Sequence, residues 1–305
     1  MSKDSPTFTV CTVSYNRASL LPRVYESLRA QTFRDFEWLI VDSSTDGTEQ
    51  LVASWIPSAP FPIRFIWTPS RGQYAAMNIG VREARGRFFA SLDSDDRYVP
   101  QALERFLHHW ETIPSDVRDS FVGVCGLDAY ESGEIVGTRF PQDVLDSDDI
   151  DLRIKHRVTG DKISVMRADV MRNFPFPEDM GNFVSPAIVW NRIGSKYKTR
   201  FVNEVFAIIE YQNDGITTNS RRLCVTHPEG IVVCLQELIN SGRRLPLDIA
   251  IKTFANYARY SFHQKVPVTE QVRKICSKWL FWLCLPLGVA LQARDLAFLR
   301  KQSKP

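Results

Sequence analysis

The 305-residue sequence predicts an α/β fold, a mostly parallel, Rossmann-like sheet flanked by helices with a helical C-terminal extension. Three features lead there. Over the first hundred residues, short apolar and β-branched runs alternate with amphipathic helical patterns, the rhythm of βαβ units. A polar loop follows each apolar run, and from about Gly230 the chain turns helical and basic. With 44% hydrophobic and 24% charged residues there is apolar material for one large domain, or one domain with an appended lobe.

The elements follow in order. "FTVCTVS" (Phe8 to Ser14) reads as a strand, and "LLPRVYESLRAQ" sets Leu20, Leu21, Val24 and Leu28 on one helical face. "EWLIVD" (Glu37 to Asp42) is the next strand, and "DGTEQLVASW" opens a helix behind a polar cap region. "IRFIW" (Ile63 to Trp67), "QYAAMNIGVREA" and "RFFASLD" give a third strand, a third helix and a fourth strand. After about Ile113 the pattern loosens into short strand candidates, "FVGVCGL", "EIVGTRF" and "KISVMRA", between acidic loops. The boundaries expected are residues 1–220 for the main domain, divided into halves 1–112 and 113–220, and 221–305 for the helical region.

In open sheets of this kind, ligands bind beyond the carboxyl ends of the strands. The loops "SYNR", "VDSSTDGT", "SRG" and "DSDD" stand at those ends. The last is the most telling, because Asp93, Asp95 and Asp96 crowd three carboxylates into four positions beside a buried strand. Such a group is costly unless a cation or donors compensate. Hard divalent cations take oxygen ligands and share few carboxylates with substrate phosphates, so Mg²⁺ or Mn²⁺ fits. The plainer reading is a solvated turn in which Asp96 caps the helix at "YVPQALERFL". Asp42 can accept from a ring N–H or a ribose hydroxyl, or simply cap the following helix. Tyr15 offers a flat face for a base or packs into the core. Arg71 beside Gly72 can approach a phosphate closely.

A formal charge of +3 and the lack of long basic runs argue against nucleic acid as a partner. The six cysteines form no C-x-x-C pair and read as small buried thiols of a reducing compartment. "MSKDSPTFTV" has no secretory n-region and h-region, so the cytoplasm is expected. No uninterrupted apolar stretch reaches about 18–20 residues. The apolar run 279–291, "WLFWLCLPLGVAL", is flanked by Arg273, Lys274 and Lys278 before and Arg294, Arg300 and Lys301 after. It reads either as a membrane-surface segment or as a buried terminal helix, with Pro286 and Gly288 weakening any continuous helix.

Taken together, "TVSYNR", "IVDSSTDGT" and "SRGQYAAMNIGVREARGRFFASLDSDD" resemble the nucleotide-sugar-binding half of family-2 glycosyltransferases of the GT-A fold. "GDKISVMRADVMRNFPFPED" and "FVSPAIVWNRIGSKYKTRFVNEVFAIIEYQNDGIT" resemble the acceptor half of a bacterial surface-polysaccharide branch, so the likeness covers roughly residues 7–220. The resemblance implies an inverting transferase acting on a glycan or lipid-linked acceptor at the inner face of the cell membrane. It implies that Thr12, Tyr15 and Arg17 border the base of a nucleotide-sugar donor and that Asp42 accepts from the base edge, as with uracil. Arg71, Asn78 and Gly80 would line the diphosphate and ribose side. Asp93 would face the ribose or sugar, and Asp95, with Asp93 and Asp96 beside it, would hold Mg²⁺ or Mn²⁺ on the diphosphate.

One position departs from the family pattern. An acidic residue usually precedes the V-W-N-R-I helix and is the natural base, but Ser185, Pro186 and Ala187 carry no carboxylate. Asp179 is the first replacement, Glu178 the second, with Asp161 and Asp214 as alternatives from the neighbouring motifs. A chain that binds donor without transferring it, a subunit of a glycan assembly complex, is the competing expectation. A sugar-1-phosphate nucleotidyltransferase would need a Gly-rich phosphate loop, which "TVSYNRAS" lacks, and a dinucleotide oxidoreductase would need the absent G-x-G-x-x-G.

Overall fold

The structure is a computed structural model that describes residues 5–70, 72–180, 184–212 and 215–302. It resolves into two compact units, Met1–Phe176 with Arg192–Gln212, and Pro177–Asn191 with Asn213–Pro305. This division differs from a boundary at 220, because residues 177–191 go with the C-terminal helices.

The first unit is built on a nine-stranded sheet. Its elements begin β1 (Phe8–Ser14), α1 (Leu21–Arg29), β2 (Phe36–Asp42), α2 (Thr48–Trp55), β3 (Ile63–Trp67), α3 (Gln73–Glu83) and β4 (Phe88–Ser91). There follow β5 (Arg97–Tyr98), α4 (Ala102–Glu111), β6 (Phe121–Ala129), β7 (Val144–Ser147), α5 (Asp149–Ile154), β8 (Lys162–Arg167) and α6 (Ala168–Arg172). Then α7 (Ala187–Gly194) runs across the division and β9 (Lys198–Ile208) returns to the sheet. The order across the sheet is β3-β2-β1-β4-β8-β6-β9-β5, with β7 paired to β9.

The first four strands pair in parallel, as the βαβ rhythm predicts. The other half is mixed: β8 is antiparallel to both β4 and β6, β6 and β9 are parallel, and β5 and β7 run against β9. "EIVGTRF" forms no strand and contributes only an isolated bridge, Ile135 to Ala129. Gly137 and Gly160, both at positive φ, pass there within a distance that leaves no room for a Cβ, so the backbone is used in a close crossing.

Core packing explains the elements. In α1, Leu21, Val24 and Leu28 are buried at helical spacing, and Tyr25 stacks on Trp55 with ring centroids 4.5 Å apart. Trp38 and Phe36 of β2, Phe8 of β1 and Phe88 of β4 are fully buried in the same core, which extends to Phe106 and Phe206. Each such side chain contributes about 1.5–3 kcal/mol on burial. Gly80 belongs to this packing: a Cβ there would lie 2.4 Å from Cys11 Sγ, so α3 sits directly on β1. Gly80 is thus a packing residue.

The second unit is helical, with α8 (Ile216–Thr226), α9 (Glu229–Asn240), α10 (Leu247–His263), α11 (Val268–Arg273) and α12 (Lys278–Gln302). The helix α12 corrects two expectations. It runs unbroken for 25 residues through Pro286, and the part Lys278–Arg300 is long and apolar enough to cross a membrane by length and composition. Pro286 is exposed, as is Trp282 four residues earlier, so the carbonyl that loses its helical donor lies on a face water can reach. Gly288 faces α10, where a Cβ would meet Ala258 Cβ at 2.7 Å. Leu280, Phe281 and Cys284 fill the core of this unit, and Asp295 is fully buried against Arg259, with Nε to Oδ2 at 2.5 Å. Burial works against the Asp295 charge, yet Arg259 and His263 hold its carboxyl below the usual range. One face of α12 is core, as the buried-helix reading expects, and the other exposes Trp279, Trp282, Leu283 and Leu287. Among the cysteines, Cys276 is exposed rather than buried.

Candidate active site

The strand directions decide where polar groups collect. Because β1 to β4, β6 and β9 all point one way, their C-terminal ends share one edge with the beginnings of β8 and β5. Following the strand order along that edge, Asp42 ends β2, Tyr15 follows β1, and Asp93 to Asp96 follow β4. Asp161 precedes β8, Asp128 lies near the end of β6, and Glu210 and Tyr211 follow β9.

At the centre is the acidic turn. β4 stops at Ser91, earlier than the sequence pattern suggests, and the Asp96 N–H donates to the Asp93 carbonyl at 3.1 Å. That turn brings carboxylate oxygens of Asp93, Asp95 and Asp96 within 4.8 Å of one another. Asp96 caps no helix, since α4 begins at Ala102 behind Gln101. Burial, then repulsion from Asp93, Asp95 and Asp128, pushes the Asp96 carboxyl up to about 9. Asp93 keeps water-accessible surface, but crowding by protein and then Asp95 and Asp161 push it up to about 6. The set is all oxygen and clustered, the donor chemistry that suits a hard divalent ion.

Two further carboxylates close in on this turn. Asp161 is presented by Gly160, and its Oδ2 accepts from the Tyr211 hydroxyl at 2.7 Å. Lys162 does not pair with the Asp161 carboxylate; its Nζ donates to backbone carbonyls, among them Val136 at 2.8 Å and Thr159 at 2.9 Å. Asp128, which sequence reasoning missed, is buried, and its Oδ1 has no hydrogen-bond partner among the described residues. Burial, then Asp161, pushes its carboxyl up to about 8, against a smaller opposing pull from Lys162. The available signal was an acid inside the apolar run "FVGVCGLDA".

On the β1–β2 side the structure separates the expected residues. Tyr15 is exposed beyond β1, next to Asn16, whose positive φ sets the bend. The Asn16 side-chain oxygen accepts from Thr45 N–H at 2.9 Å, which ties the two loops together. Arg17 is half-buried in the same loop. Asp42 is almost wholly buried and accepts from the Ser44 hydroxyl at 2.6 Å and the Ser44 N–H at 2.8 Å, so it anchors its own loop. Thr12 is fully buried and its hydroxyl accepts from Trp38 Nε1 at 3.0 Å, which places it in the core. The Asn78 amide bonds the Phe176 backbone in both directions, at 2.8 and 2.9 Å, and so clamps a loop. Arg71 and Asp214 lie outside the described residues. Glu178 and Asp179 belong to the second unit.

A sheet of this topology with an acidic turn after its fourth strand defines the GT-A glycosyltransferase fold. Residues 9–163 match the glycosyl transferase family 2, and the chain belongs to that family. It is 30% identical over 137 residues to an uncharacterized glycosyltransferase of Nostoc sp., covering 45% of this chain and 36% of the relative. It is 35% identical over 125 residues to the succinoglycan biosynthesis protein ExoO of Rhizobium meliloti, covering 40% of this chain and 35% of ExoO. The matches thus span little more than a third of these two relatives. Among solved structures, Staphylococcus aureus TarS in complex with UDP-GlcNAc superposes with a TM-score of 0.58 at 16% identity, covering 88% of this chain and 78% of that one. The mannosyltransferase PcManGT of Pyrobaculum calidifontis, in complex with GDP-Man and Mn²⁺, superposes with a TM-score of 0.54 at 18% identity, covering 99% and 81%.

Proposed function

We propose that the chain is an inverting, metal-dependent hexosyltransferase that moves a sugar from a nucleotide-diphosphate donor, UDP-linked, to a hydroxyl of a glycan or lipid-linked acceptor in surface polysaccharide synthesis. The observation that carries this is the gathering of Asp93, Asp95 and Asp96 at the C-terminal edge of the sheet. Asp95 would hold Mg²⁺ or Mn²⁺, with Asp93 and Asp96 completing the acidic face. When bound, the ion acts as a Lewis acid on the diphosphate and stabilises the departing phosphate charge. Tyr15 would stack on the base, with Arg17 and Asp42 beside it, and Asp93 would meet the ribose or the sugar.

Transfer needs one base. A carboxylate takes the proton of the acceptor hydroxyl, the new bond forms at the anomeric carbon on the face opposite the leaving group, and the nucleoside diphosphate departs with the electron pair of the broken C–O bond. Asp161 is favoured for this role, supported by its proximity to Asp93 and its hydrogen bond from Tyr211. Asp179 and Glu178 are the alternatives.

Membrane contact is proposed through the exposed face of α12, supported by Trp279, Trp282 and Leu283 beside exposed Arg273, Lys274 and Lys278. This would hold the protein at the inner face of the cell membrane. The second reading, a subunit that binds donor without transferring it, is favoured by the lack of a carboxylate at Ser185 to Ala187.

Donor hydrolysis and transfer, measured across a panel of nucleotide sugars with Mn²⁺, test the proposal against Asp95→Ala. At least one donor should turn over in the wild type, with a loss of at least 10²-fold in the variant, of the size typical when a group that stabilises developing charge is removed. Equal turnover in both would remove the metal assignment, and saturable UDP binding without product would favour the non-catalytic reading.

A further inference from the structure

Beyond the acidic turn, on the side away from Asp42 and Tyr15 in the strand order, lies a pocket of about 420 Å³ that also touches Asp95. This volume falls in the range of small-molecule sites, about 300–1,000 Å³. Its walls include Arg23, Arg97, Tyr130, Glu131, Glu210 and Tyr211, all within the first unit. We propose that this pocket is the subsite for a neutral pyranose of the acceptor, an inference that rests on the transferase reading above.

Shape and charge both point to a sugar. Tyr130 and Tyr211 meet edge to face, with ring centroids 6.0 Å apart at 72°, and make an aromatic corner of the kind that covers the C–H face of a pyranose. The Tyr211 hydroxyl leads from that corner to Asp161. A ring held there would bring one of its own hydroxyls toward the proposed base.

Each arginine of the pocket is already matched by a carboxylate. Arg23 Nη1 lies 2.6 Å from Glu210 Oε2 and also donates to the Asp95 carbonyl at 3.3 Å, while Arg97 pairs with Glu131. The lining therefore carries no excess positive charge to attract a phosphate or carboxylate, and Asp95 adds a negative one. What it does offer is a fork of N–H donors next to carboxylate acceptors, the complement of vicinal hydroxyls. A neutral polyhydroxylated ring fits; an anionic one does not.

The test is saturation-transfer NMR on the full chain with the methyl glycosides of glucose, galactose, mannose and N-acetylglucosamine, run beside the thermal shift given by UDP with Mn²⁺. At least one glycoside should bind saturably. Tyr130→Ala should weaken it at least tenfold while leaving the UDP and Mn²⁺ shift unchanged. Glu131→Ala, at an exposed position, should do the same and keeps the test informative if Tyr130→Ala loses its fold. Wild-type response to UDP and Mn²⁺ without binding of any glycoside, or equal glycoside binding in wild type and variants, overturns the pocket assignment alone. Glycoside binding with no response to UDP and Mn²⁺ overturns the transferase reading on which the word acceptor depends.

Discussion

Asp128 joins sequence, burial and chemistry at a single residue. It stands on a buried strand with one oxygen unpartnered among the described residues, beside a turn that holds three more acids. Burial, then Asp161, raises its carboxyl to about 8 in the folded protein, against about 3.9 for an unfolded chain. A carboxyl raised on folding favours the native state fully below the unfolded value, and that contribution is lost as pH climbs through the folded value. Between about pH 4 and about 8 the metal-free protein should therefore lose stability as pH rises. Asp128→Asn should flatten that slope and raise Tm at pH 8 by about 2–4 °C, the shift that 1 kcal/mol gives a domain of this size. Thermal melts across that range in a chelator check it; a parallel slope in the variant would place the pH sensitivity elsewhere. Asp161 and Asp179 separate in another way. Asp161→Asn should lower turnover by about 10² to 10⁴, the usual worth of a general base, with the donor-induced thermal shift retained. If Asp179→Asn shows that loss instead, the base belongs to the second unit.

At the scale of elements, α12 shows why an apolar run can be legible as a helix and still not declare its sides. Its buried positions Phe281, Cys284, Gly288 and Asp295 follow helical spacing, but the opposite face carries Trp279, Trp282, Leu283 and Leu287, so hydrophobicity does not distinguish the two until near Asp295. The membrane contact proposed above would be made by the exposed face alone, because the other is packed and carries the buried Asp295–Arg259 pair. Replacing Trp279 and Trp282 together by Ser should weaken binding to anionic vesicles by at least tenfold and leave UDP binding unchanged. Each indole is worth about 1.5–3 kcal/mol when buried in the lipid boundary, and tenfold is 1.4 kcal/mol. Co-sedimentation of both proteins with vesicles measures this, and equal sedimentation would return this face to some other role. The strands divide similarly. β1 and β3 were readable to the residue because both are short β-branched runs bounded by polar loops. β5 has only two residues, and "EIVGTRF" has a strand's composition but crosses another backbone at Gly137 instead of pairing.

For the whole molecule, the sheet topology turns scattered acids into a site. The parallel half of the sheet was legible from alternation alone, and with it the position of Asp93 to Asp96 at a strand end. The mixed half was not, because β8, β6 and β9 find one another across long sequence separations that no local pattern records. Asp128, Glu210 and Tyr211 went unread for that reason. The fixed partners of Thr12 and Asn78 are not legible in the sequence either, because residue type and spacing do not say which way a side chain faces. The most direct measurement is an anomalous difference map from a crystal of the full chain soaked with Mn²⁺ and UDP. A manganese peak in contact with the Asp95 carboxylate and the diphosphate is the result expected. Bound UDP with no manganese among Asp93, Asp95 and Asp96 would contradict it.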